Sequence, residues 1–111
     1  MAVAPLQVLG DADTVLAFAL GGVPGSVIET AEAAHAAIDA VTEAMHGEGG
    51  SVARPVLLLV TQRTAASIPE RIERAVLDVA GPLILEIPGV GEAAGDGSGQ
   101  RLLRRVLGSR R

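Results

Sequence analysis

Short apolar runs alternate with amphipathic stretches along this chain. Residues 6–9 form an apolar run that stops at Gly10 and reads as a strand. Asp11 follows, placed to cap a helix starting near Ala12, in which Val15, Phe18 and Ala19 share one face at three- and four-residue spacing. Gly21-Gly22 closes that helix, Pro24-Gly25 is turn chemistry, and residues 26–29 predict a short second strand. Thr30 is a suitable cap for a helix over 31–45, whose apolar stripe is Ala34, Ile38, Val41 and Met45. A polar, glycine-rich loop over 46–51 follows.

Residues 55–60, PVLLLV, are continuously apolar, the pattern of a central parallel strand covered on both faces. Ser67-Ile68-Pro69-Glu70 has capping-box spacing with proline in the first turn, and predicts a helix to about Ala80 with Ile68, Ile72, Val76 and Val79 inward. Gly81-Pro82 stops it, and LILEI over 83–87 is a fourth strand. The order βαβαβαβ(α) implies an α/β fold. Its four-stranded, mostly parallel sheet is flanked by helices in a Rossmann-like or receiver-like arrangement, and a short carboxy-terminal helix follows. The organisation expected is an α/β body over 1–89, a glycine-rich linker over 90–99 and a basic amphipathic helix over 100–111.

Composition narrows the chemistry. With 111 residues, one aromatic residue (Phe18) and no cysteine, the chain predicts one domain with an aliphatic core, without disulfides or thiol chemistry. The absence of cysteine fits a cytoplasmic protein, and no run approaches the ~20 apolar residues of a membrane span. The net charge of −4 conceals an asymmetry. Residues 100–111 hold Arg101, Arg104, Arg105, Arg110 and Arg111 with no acid, so the rest of the chain is strongly acidic. A helix over 100–107 would put Leu103, Val106 and Leu107 on one side and Arg104 beside them. So short a helix is marginal alone and needs a surface, either the acidic body or another chain. Read as a partner-dependent helix, the tail adds little to the stability of the body.

The loops at the carboxyl ends of parallel strands are where sites form in such folds. Here they carry Gly10-Asp11-Ala12-Asp13, Thr61-Gln62-Arg63 and Pro88-Gly89. A phosphorylatable receiver domain needs an aspartate at the end of the third strand and a late lysine. This chain has Thr61-Gln62 there and no lysine. A dinucleotide site needs Gly-x-Gly-x-x-Gly after the first strand, and GDADTV has one glycine and an acid where the pyrophosphate would sit. A metal pair from Asp11 and Asp13 lacks a third ligand nearby in sequence. The residues therefore predict no catalytic, cofactor or metal site. Asp11 reads as a helix cap, Asp13 as a first-turn acid favoured by the helix dipole, and His35 and His46 as structural.

The stretch GDADTVLAFALGGV resembles the amino-terminal signature of the F subunit of the V-type and archaeal-type rotary ATPases, typically Gly-Asp-x-Asp-Thr-Val-x-Gly-Phe-x-Leu-Ala-Gly-Val. Gly10, Asp11, Asp13, Thr14, Val15, Phe18, Leu20, Gly22 and Val23 match. LLLVTQRTAASI is similar to the family's third-strand segment at Leu58, Val60, Thr61 and Ala65. ILEIPG is similar to its Ile-Pro segment at Glu86, Ile87, Pro88 and Gly89, and RLLRRVLG to its closing helix at Arg105 and Gly108. Ala17 and Ala19 depart from the family's glycine and frequent arginine, and the lysine and tyrosine usual after the Ile-Pro segment are missing. A contact with a neighbouring protein made by those side chains is not carried over.

The resemblance implies a non-catalytic central-stalk component of an ion-transporting ATPase. Such a protein sits on the rotor shaft formed by the D subunit, turns within the catalytic A/B ring, and helps couple ATP turnover or synthesis to hydrogen-ion or other ion transport. It further implies a cytoplasmic, peripheral place in a membrane-bound complex, without membrane insertion, nucleic acid or cofactor, and a mobile, regulatory carboxy-terminal helix. The alternative is a degenerate receiver-like signalling or interaction domain that is not phosphorylated.

Overall fold

The computed structural model describes residues 3–46 and 54–90. Four strands, β1 (Leu6–Gly10), β2 (Gly25–Val27), β3 (Leu57–Thr61) and β4 (Leu83–Ile87), form one sheet in the order β2-β1-β3-β4. Every pairing is parallel, with Leu9 opposite Ser26, Val8 opposite Leu59, and Leu59 opposite Leu85. Four helices connect them: α1 (Ala12–Leu20), α2 (Ala31–Met45), α3 (Gln62–Ser67) and α4 (Pro69–Leu77). Residues 91–111, which include Leu103, Arg104, Val106 and Leu107, lie outside the described residues.

One face of the sheet carries the core. Leu9, Leu58 and Val60 point into it and meet Ala34, Ile38, Val41 and Met45 of α2, with Ala65 of α3 and Ile68 before α4. Ile72 of α4 and Ile84 of β4 pack at its margin. The stripe expected for α2 is thus its buried face. α1 lies on the other face, against β1 and β2, where Val8 and Thr14 are fully buried. α1 ends in a Schellman arrangement: Gly22 takes φ +91°, its N–H donates to Ala19 O, and Val23 N–H donates to Phe18 O. Only glycine takes such a φ without strain, so Gly22 serves as the stop that the sequence suggested.

The region after β3 departs from the sequence-based expectation. Residues 62–67 form the short helix α3, capped by the buried Thr61, whose Oγ1 accepts from Thr64 N–H at 3.3 Å. Ser67 does not cap α4; its hydroxyl donates to Thr64 O at 2.6 Å. The N-cap of α4 is Ile68, which makes no side-chain cap bond. Pro69 disfavours helical geometry in the residue before it, so one helix cannot run through Ile68. α4 then stops at Leu77, before Ala80, because Asp78 turns the chain: its Oδ1 accepts from Ala80 N–H at 3.0 Å and its carbonyl from Gly81 N–H. Val79, expected inward, therefore lies beyond the helix and is 98% exposed; Val76, also expected inward, is within α4 and is 80% exposed. His46 ends α2 and anchors this turn, its Nε2 donating to Ala80 O at 2.9 Å.

Gly10 is required by the approach of β1 to β3. A Cβ at this position would overlap Cγ2 of Thr61. Gly10→Ala should lower stability by about 1–3 kcal/mol in urea denaturation, the usual cost of overpacking. Thr61→Ser removes the obstructing methyl while keeping the capping hydroxyl. The double variant should recover at least ~0.5 kcal/mol relative to additivity, the coupling expected of side chains in contact. Strict additivity would mean that Gly10 is needed for some other reason.

Candidate functional site

The strand order reverses direction between β1 and β3. At the carboxyl ends of these strands lies an open groove of about 390 Å³, bordered among others by Asp11, Asp13, Glu29, Thr61, Arg63 and Ser67. This is the position at which open α/β sheets bind ligands. The amino ends of α1, α2 and α3 converge on it, and a helix start supplies free N–H groups and a partial positive charge to any anion.

Here the chain's own side chains occupy those starts. Asp11 Oδ2 accepts from Thr14 N–H at 3.1 Å, and Asp11 Oδ1 accepts from the Thr14 hydroxyl at 2.7 Å. Thr30 Oγ1 accepts from Ala33 N–H at 3.1 Å at the start of α2. Thr61 Oγ1 accepts from Thr64 N–H and donates to the Thr64 hydroxyl at 2.9 Å. The Thr14 hydroxyl holds the Asp11 carboxyl below its ordinary pKa, outweighing the opposing effect of burial. Asp13, exposed in the first turn of α1, adds negative charge at the rim, as does Glu29. Among the described residues, no three His, Asp or Glu side chains come together to hold a metal ion.

Thr14 has a second role that sequence reasoning missed. Its Oγ1 accepts from Val90 N–H at 2.9 Å, across 76 positions of sequence. Asp11 therefore orients the Thr14 hydroxyl, and that hydroxyl anchors the chain where it leaves β4 through Pro88 and Gly89. Gly10, Asp11, Asp13 and Thr14 thus sit together at the β1–α1 turn, and Pro88 precedes the point where β4's extension returns to them. Phe18 is half-buried one turn further along α1, and Gly22 follows the end of that helix. The residues proposed from sequence for partner binding, Leu103, Arg104, Val106 and Leu107, fall outside the described residues. The only local sign of the Thr14–Val90 link is a fully buried threonine in the first turn of a helix.

A family model described as "ATP synthase (F/14-kDa) subunit" matches residues 6–106. A curated relative, the F subunit of the A-type ATP synthase of Methanothermobacter thermautotrophicus, is 35% identical over 107 residues, covering 93% of this chain and 92% of the relative.

Asp11→Ala should lower stability by about 0.5–2 kcal/mol, and Asp11→Asn by much less, since asparagine caps nearly as well. Thr14→Val keeps the shape but strands the Val90 N–H, which should then exchange with solvent faster, at a cost of about 1–3 kcal/mol. Because the Asp11 carboxyl is held below its ordinary pKa in the folded chain, its contribution is present above the unfolded value and lost as pH falls through the folded one. Acid denaturation should therefore reduce the stability gap between wild type and Asp11→Asn. A divalent ion that stabilised wild type but neither Asp11 variant would make Asp11 a ligand.

Proposed function

The chain belongs to the F/14-kDa subunit family of ATP synthases, and on that premise we propose that it is a non-catalytic central-stalk component of an archaeal- or V-type rotary ATPase. In this role it sits on the shaft, the D subunit, within the A/B ring and helps couple ATP turnover to ion transport. It is peripheral to the membrane, on the cytoplasmic side, and no described helix is long and apolar enough to cross a membrane. The carrying observation is the extent of the family match, from the first strand to residue 106.

The groove's geometry supports the same reading. In a nucleotide-binding sheet the helix starts are left open for phosphate, whereas here Asp11, Thr30 and Thr61 each take up one N–H of a helix start, and Asp13 and Glu29 add negative charge at the rim. The surface also suits a component of a larger assembly. α1 has a single charged residue, Asp13, and presents Leu16 and Leu20 to the outside. A helix that is apolar on all sides is one that is covered, in this case by another chain. Asp11, Asp13 and Pro88 then act structurally, fixing α1 and the exit from β4.

The test is co-purification. Expressed with the shaft protein of the same complex, its D subunit, the chain should elute with it as a stoichiometric pair, and Leu16→Glu/Leu20→Glu should weaken that pair without unfolding the chain. The isolated chain should show no ATP turnover. Independent elution of the two proteins would overturn the assignment, as would turnover by the purified chain that Asp11→Ala abolishes.

A further inference from the structure

β4 is an outer strand of the sheet, and the described residues use its backbone on one side only. Leu83 N–H donates to Val56 O at 3.0 Å, which fixes the alternation along the strand. The N–H and C=O groups of Leu83, Leu85 and Ile87 face β3, and those of Ile84 and Glu86 face away from it. Among the described residues nothing takes up the groups on the outer side. Proteins commonly blunt such an edge with proline, a bulge or lysine, because an open edge is a template for another strand. β4 keeps regular register with β3 from Leu83 to Ile87, with neither proline nor bulge, and its one charged side chain is Glu86. The opposite edge, β2, is three residues long and turns only Gly25 and Val27 outward.

The two faces beside the β4 edge differ in character. On the α1 face, Leu83 and Leu85 are 73% and 52% exposed. On the other face Glu86 is exposed, and the outer side of the neighbouring α4 carries Glu70 and Glu73. The cations of α4 are drawn the other way. Arg71 pairs with Asp39 at 2.6 Å, and Arg74 borders the hollow toward α2 in which Asp39 and Asp78 also stand. The edge is thus apolar on one face and acidic on the other.

We propose that the outer side of β4 takes a strand from another protein, an extended segment in which basic and apolar residues alternate. Ile84 and Glu86 supply two N–H and two C=O groups to its backbone. Successive side chains of a strand point to opposite faces. Basic residues at every second position therefore lie beside Glu86 and toward α4, and the apolar residues between them lie against Leu83 and Leu85. A second copy of this chain fits less well, since pairing through β4 would bring another Glu86 to the edge of a chain already at −4. The inference does not depend on the assignment to a rotary complex.

In the free full-length chain, the Ile84 and Glu86 amides should exchange with solvent faster than those of Leu85 and Ile87, as read by NMR. The probe is a synthetic peptide of about ten residues alternating lysine and valine, with a glutamate–valine peptide as control. The basic peptide should slow exchange at Ile84 and Glu86 by at least about tenfold, and added salt should weaken it. The acidic peptide should leave both amides unchanged. Glu86→Lys should weaken the basic peptide by about tenfold, through reversal of a cross-strand charge. Glu86→Pro, at an outward position of an edge strand, also removes the N–H and should abolish the protection of Ile84 with the fold retained. If Glu86→Pro unfolds the chain, Glu86→Lys decides. Slow exchange at Ile84 and Glu86 in the free chain would overturn the proposal, because the edge would then be covered already. Equal effects of the two peptides would overturn it too, as would binding of the basic peptide without protection of these amides, which is attraction to an acidic surface only. Protection that grows with the concentration of the chain alone would overturn it in favour of a second copy.

Discussion

The parallel pairing of β1 with β3 is the constraint on which the rest of the molecule depends. Both strands are central and mostly apolar, so each face of the pair must be covered. Leu9, Leu58 and Val60 bring α2, α3 and the start of α4 onto one side, and Val8 brings α1 onto the other. The pairing also requires a residue without a side chain at Gly10, because Thr61 stands against it. The same two strand ends launch α1 and α3. One close approach therefore sets the spacing of the strands and the position of the two helix starts beside them.

From that geometry follows what the carboxyl end of the sheet does. A reversal of strand order with helix starts converging on it is the common ground plan of a ligand site. In this chain Asp11, Thr30 and Thr61 each engage one N–H of a helix start, and the carboxylates left at the rim, Asp13 and Glu29, repel an anion. Asp11 and Thr14 use the end of the sheet as a fastening for the segment that leaves β4. What such a domain offers a partner is then surface, and its exposed side chains agree: Leu16, Leu20, Leu77 and Val79 are all large, apolar and exposed.

The features legible in the sequence were those whose cause is local. The stripe of Ala34, Ile38, Val41 and Met45 repeats at helical period because one face of α2 is buried along its whole length. The run 55–60 is unbroken because β3 is central in the sheet, with Leu58 and Val60 in the core and Leu57 and Leu59 half-buried on the other face. Gly21-Gly22 marks a helix end because a left-handed turn is needed there, and Asp11 before Ala12 marks a start. The features that escaped depend on distant contacts or on competition between local signals. Ser67 stands at capping-box spacing, yet its hydroxyl goes back to Thr64 because Thr61 has already opened a helix. Periodicity carried the next helix on past Leu77 through Val79, since it could not register that Asp78 turns the chain first. The link from Thr14 to Val90 joins opposite ends of the described chain, and no window along the sequence contains both.

The uneven cover of the sheet connects these observations. On the face that carries α1, Val8 of β1 is fully buried and Leu59 of β3 half-buried, while Leu85 and Leu83 of β4 are 52% and 73% exposed among the described residues, which leaves a gap over β4. The chain continues past β4 from a point fastened at the edge of that gap. Further apolar surface is exposed on the outer side of α1 and, on the opposite face of the sheet, at the end of α4. Leu16 and Leu20 stand one helical turn apart, giving a narrow ridge suited to lying along a partner helix. Leu77 and Val79 flank the Asp78 turn, where His46 holds the chain in place. A small protein with two such surfaces on opposite sides can meet two neighbours of an assembly at once.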